Sequence, residues 1–250
     1  MLILDNPVTW PKHIVEKLNS ESVIQLCNSH EFIDDIADDP IILNIFEDVE
    51  TYAGIHGLAG YHCTKQLLSS PFSSTGLRVL NFQNHHAWFR NLIRHYPDID
   101  DEFYQYIDNK LTHWQNNHTG KRENMIWFCL TRALVLDSGT KSFFKYFGGE
   151  AIYFTFKNDE RVAPILESIG EPVVIETKID ATDLTVFHEW AFGRTLVSHF
   201  AHSINSKFFI ENLEGYISVN IEPNSIIATH PYNQFITSLT LEFKTGQNDV

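Results

Sequence analysis

Basic residues are scarce: 18 Lys and Arg face 32 Asp and Glu across 250 residues, for a formal charge of −14. That balance excludes a protein held to nucleic acid mainly by phosphate neutralisation, so any such contact has to be local. Cysteine is scarcer still. Cys27, Cys63 and Cys129 are far apart, make no CxxC and leave one thiol over in any disulfide scheme, so they read as reduced thiols and exclude a zinc ribbon. No run approaches 18 apolar residues, and the start MLILDNPVTWPKH has neither the basic region nor the apolar stretch of a secretory signal. A soluble, cytoplasmic chain with no membrane contact is therefore expected. There is also no internal repeat, no GxGxxG and no GxxxxGK[ST], which removes the Rossmann and P-loop routes to a nucleotide.

Apolar and aromatic residues are plentiful, at 43% and 13%, enough to fill one large core or one domain with an appendage. The acidity is concentrated in residues 1–50, with eleven carboxylates against two lysines. Ile14, Leu18, Val23, Ile24 and Leu26 fall there at helical spacing, predicting two or three short helices with an acidic, solvated face. Gly54, Gly57 and Gly60 break that pattern and set an expected boundary near residue 55 between an acidic helical cap (1–55) and a larger domain (56–250). Among thirteen histidines, His188, His199 and His202 cluster on a predicted helix spanning about 183–204. They lack a carboxylate or cysteine partner, and no metal is expected.

Beyond residue 55, strands are predicted at GYHCTK, NMIWFCLT, GEAIYFTF, PVVIETKI, YISVNIE and QFITSLTLEF, and helices at HHAWFRNLIRHY and DDEFYQYIDNKLTHW. In the latter, Asp100 or Asp101 is placed to cap, and Phe103, Ile107, Leu111 and Trp114 to enter the core. Strands with clustered helices predict an α+β fold.

Two stretches stand out chemically. Tyr61-His62-Cys63-Thr64 places a histidine on a strand ahead of a polar loop that ends at Gly76-Leu77. Gly148-Gly149-Glu150-Ala151-Ile152-Tyr153-Phe154 sets a glycine turn before an aromatic run. In this order they resemble the ADP-ribosyltransferase fold, in the branch shared by diphtheria toxin and the poly(ADP-ribose) polymerases, over residues 58–243. That branch opens with Tyr-His-Gly-Thr/Ser, continues with a Gly-Leu, and later carries Gly-Lys-Gly-Ile/Val-Tyr-Phe. Cys63 and Ala151 replace glycines here. The resemblance implies a split β-sheet core, NAD as co-substrate, and attack on the bond between nicotinamide and ribose through an oxocarbenium-like state. By the same resemblance His62 bonds the adenosine ribose, the Cys63 backbone holds the carboxamide, Thr64 supports the turn, Gly149 belongs to the cofactor-binding set, and Tyr153 stacks on nicotinamide. The branch's late-strand glutamate falls on Gln234, an amide with no charge or basicity, so Glu150 is the expected electrostatic substitute, ahead of Glu242.

The function expected from this resemblance is mono-ADP-ribosyl transfer to a macromolecule, protein or nucleic acid, by a bacterial-type toxin or defence effector, with an antidote protein as a possible partner. The alternative is a non-catalytic NAD- or ADP-ribose-binding or protein-interaction module of the same fold. The RNA 2′-phosphotransferases share the fold and an early histidine but depend on an arginine cluster absent beside these motifs. Lys65, Arg78, Arg90, Arg94, Lys121, Arg122 and Arg132 are the candidates for a short basic track.

Overall fold

The computed structural model describes residues 1–97, 99–117 and 122–245, with side chains as far as residue 240. The chain is α+β, as expected, with one six-stranded antiparallel sheet in the order β4-β5-β2-β1-β3-β6. The strands are β1 (Leu58–Gln66), β2 (Ile126–Cys129), β3 (Glu171–Ile179), β4 (Leu184–Thr185), β5 (Glu214–Ile217) and β6 (Ile226–Pro231). The helices are α1 (Lys12–Leu18), α2 (Glu21–Ser29), α3 (Pro40–His56), α4 (Phe72–Thr75), α5 (Phe82–Arg94), α6 (Asp101–Asn117), α7 (Lys141–Lys145), α8 (Glu150–Phe156), α9 (Ala163–Ser168), α10 (Ala191–Ile204) and α11 (Tyr232–Thr245).

Contacts divide the chain into two discontinuous units. The first comprises residues 1–62, 127–137 and 176–217, the second residues 63–126, 138–175 and 218–250. This division does not follow the cut expected near residue 55: α1–α3 share their unit with α10 and later strands. The charge divides with it. The first unit holds 18 acidic and 6 basic residues, a net −12, and the second 14 and 12, a net −2.

In the first unit, α3 starts where the Asp39 side chain accepts the Ile41 N–H at 2.8 Å and Pro40 supplies a preset φ, and stops at Gly57 (φ 73°). Its buried Ile42, Ile45, Phe46 and Val49 recur at three and four residues and face α10. In the second unit, α5 and α6 are capped by Asn81 and Asp100, whose side chains accept N–H groups three residues on. Phe89, Ile93, Phe103, Ile107 and Leu111 from these helices form a core with Ile152, Phe156 and Leu166. Phe103, Ile107 and Leu111 enter it as the spacing predicted, and Asp100 is the capping residue of the two expected.

Three sequence expectations are corrected. GEAIYFTF is helix α8, not a strand, and QFITSLTLEF lies within helix α11. The predicted 183–204 helix begins only at Ala191, after the two-residue β4.

Candidate active site

β1 places the first motif. Its burial alternates, so His62 and Thr64 lie half-buried on one face while Tyr61, Cys63 and Lys65 are buried on the other. Tyr61 pairs with Cys129 of β2. The His62 ring packs edge-on against Phe128, centroids 5.9 Å apart, and its Nδ1 lies 2.9 Å from the Trp127 carbonyl. A carbonyl only accepts, so Nδ1 carries the proton and Nε2 is the acceptor side of the ring. Burial lowers the His62 pKa, partly opposed by that carbonyl, and the ring is neutral.

Cys63 is buried, outside any disulfide, in a strand paired on both sides. It lies near Tyr232, whose hydroxyl pKa is raised by burial first and by Cys63 second. The loop after β1 contains α4, and Gly76 (φ 71°) closes it. A Cβ there would stand 2.1 Å from the Ile221 carbonyl oxygen, so only glycine fits. Leu77 and Ile221 then exchange two backbone hydrogen bonds of 2.9 Å.

The second motif has a different character from the strand expected. Gly148 (φ 93°) and Gly149 (φ 65°) form a turn that ends as the start of α8. Two α5 histidines hold this turn: His85 Nε2 donates to the Gly148 carbonyl at 2.7 Å, and His86 Nε2 to the Ala151 carbonyl at 2.9 Å. Burial lowers both pKa values, leaving the rings neutral. Sequence reasoning missed both residues. The available signal was His86 itself, which sits on the apolar stripe Phe82, His86, Phe89 and Ile93, where a buried polar ring needs a partner.

Glu150, in the first turn of α8, pairs with Arg122 at 3.2 Å. Tyr153 is only 4% exposed and packs among Phe143, Tyr146 and Phe154. Burial, then the Glu150 charge, push its hydroxyl up to about 12, with Arg122 acting in the opposite direction. A ring enclosed in this way has no open face for nicotinamide. The residues of α8 that do border a cleft are Phe154 and Thr155, which face Tyr106, Lys110, His113 and Trp114 of α6 across a space of about 550 Å³. Gln234 is exposed in the first turn of α11 and is not on a late strand. Glu242 lies in the stretch of α11 whose side chains are outside the described residues.

The described residues of the expected basic track are engaged internally. Lys65 Nζ donates to the Glu167 carbonyl at 2.5 Å, Arg78 pairs with Glu222 at 2.7 Å, Arg90 with Asp108, and Arg132 with Asp5 at 3.3 Å. Arg94 lies over the Tyr104 ring at 5.1 Å, and Lys121 is outside the described residues. Among the described residues no three His, Cys, Asp or Glu side chains converge as a metal set, and no helix is long and apolar enough to cross a membrane. No protein-family model, curated protein or solved structure matches the chain.

Proposed function

We propose that this protein is a cytoplasmic, NAD-dependent mono-ADP-ribosyltransferase acting on a macromolecule, protein or nucleic acid, as a toxin or defence effector. The observation that supports this reading is the setting of the first motif and of the Gly76-Leu77 turn after it. Tyr61-His62-Cys63-Thr64 lies on a central strand, and Gly76-Leu77 closes the loop that follows it. His62 is neutral and oriented by the Trp127 carbonyl, so its Nε2 suits a ribose hydroxyl donor. Glu150 is the carboxylate nearest to the glycine turn in sequence and the group assigned to stabilise developing positive charge on the ribose. Support comes from these elements alone: α8 replaces the expected strand, and Tyr153 has no stacking role in this proposal.

The second reading, binding of NAD or ADP-ribose without transfer, is favoured by Gln234. It is an uncharged amide on an exposed helical turn where the family pattern has a strand glutamate. Labelled NAD incubated with the protein and total cell extract decides between them. Release of nicotinamide with label retained on protein or nucleic acid supports transfer. Calorimetric NAD binding lost in His62→Ala, with no nicotinamide released by the wild type, supports the binding module, and no NAD binding at all removes both.

A further inference from the structure

We propose that the Phe32–Phe209 face of the first unit is a docking surface for a basic protein segment carrying an apolar anchor. This inference is independent of the NAD reading. Phe32 and Phe209 are 53% and 60% exposed, yet their rings lie against each other with centroids 6.1 Å apart. Both are displayed on fixed backbone. Phe32 is followed by the turn Ile33–Asp35, which Ile33 and Ile36 anchor in the core, and Phe209 follows the buried Phe208. The Phe209 N–H donates to the Glu31 carbonyl at 2.7 Å, tying the two segments together. Arg194 repeats the tie, bonding Asp34 at 2.6 Å and Glu211 at 2.9 Å. Two large apolar rings held in place this way need little ordering to bind, which is the usual character of an anchor at an interface.

The charge around the pair selects the occupant. Residues 31–39 carry Glu31, Asp34, Asp35, Asp38 and Asp39, and Glu211 adds a sixth carboxylate, against Arg194, which pairs with Asp34 and Glu211, and Lys207 beside Phe209, within a unit of net charge −12. Nucleic acid and an anionic lipid surface are repelled by this field. A second copy docking through the same face would bring acidic rim against acidic rim. What complements it is a segment with lysine or arginine flanking a leucine or aromatic side chain.

The test uses the full chain and two labelled twelve-residue peptides, one of lysines interspersed with leucine and phenylalanine, the other with serine in the apolar positions. Fluorescence anisotropy is expected to show the apolar peptide binding at least about ten-fold tighter, with that advantage lost in Phe32→Ser/Phe209→Ser. Asp35→Asn/Asp38→Asn is expected to weaken binding and flatten its salt dependence. Equal affinity for the two peptides, or an advantage that survives the double phenylalanine variant at an unchanged melting temperature, overturns the proposal. So does a concentration-dependent dimer that the same variant abolishes, since the occupant is then a second copy.

Discussion

Glu50 on α3 accepts the backbone N–H of Phe192, the second residue of α10, at 2.9 Å, and that of Gly193 at 3.3 Å. Trp190 occupies the cap position of α10 in a left-handed conformation (φ 57°) and makes no side-chain cap. The cap therefore comes from another helix. Glu50→Ala is expected to lower stability by about 1–2 kcal/mol, because two N–H groups lose their acceptor, whereas Glu50→Gln keeps an acceptor oxygen. Burial raises the Glu50 pKa against the two N–H bonds. The protonated carboxyl is thus favoured by folding, and the contribution is complete at acid pH and declines as pH rises through the raised value. Urea unfolding between pH 4 and 7 should show that decline in the wild type and its absence in Glu50→Gln.

One residue on, Gly193 sets how closely α10 approaches α3. A Cβ at this position would lie 2.6 Å from the Phe46 Cα, a backbone atom with nowhere to retreat. Although alanine is the better helix former, Gly193→Ala is expected to cost about 2 kcal/mol by forcing the two helices apart. Gly149→Ala is a useful contrast: nothing lies within 4 Å of its added Cβ, and only its positive φ opposes the change. Melting temperatures of the two variants separate the effects of space and backbone strain.

Asp159 ties α6 to the start of α9. Its carboxylate accepts the Tyr106 hydroxyl and Lys110 Nζ, each at 2.5 Å, and the N–H groups of Arg161 and Val162 at 3.0 and 3.1 Å. Burial alone would raise its pKa, but these bonds together outweigh it and hold the carboxyl at about 2. The stabilisation is complete above the ordinary aspartate range and is lost as pH falls toward 2. Asp159→Asn should therefore cost about 1–2 kcal/mol at pH 7, with solvent screening allowed for, and the gap to wild type should shrink between pH 4 and pH 2.5.

The strands β1, β2 and β3 and the helices α5 and α6 are legible because pattern and propensity agree there. At α8 and α11 they disagree. Ile152, Tyr153, Thr155 and Phe156 have strand propensity, but Ile152, Tyr153 and Phe156 bury together against α5 and α6 only as a helix. The readable sign was the glycine followed by Glu150, an acidic first turn at a helix start. In α11, Phe235 and Leu239 are buried four residues apart, while Thr237 and Thr240 return their hydroxyls to carbonyls four residues back, which lets β-branched residues remain in a helix. The strand position of His62 was legible. The contacts of His85 and His86 were not, because their partners are backbone carbonyls some sixty residues away.

Glu150 separates chemistry from scaffolding in the proposed transferase. Its carboxylate is paired with Arg122, so Glu150→Gln removes both a charge and an ion pair, while Arg122→Gln breaks the same pair and leaves the carboxylate. If Glu150 stabilises charge on the ribose, Glu150→Gln lowers the rate of ADP-ribosyl transfer by about 100-fold with NAD affinity retained, and Arg122→Gln has a far smaller effect. An equal loss in both variants, accompanied by an equal fall in melting temperature, assigns the pair to holding the α8 turn. A transfer rate unchanged in Glu150→Gln removes this residue from the reaction. His62→Ala completes the set: its loss of NAD affinity, read by calorimetry, is expected to exceed that of either α8 variant, because His62 is proposed to bind the dinucleotide in the ground state.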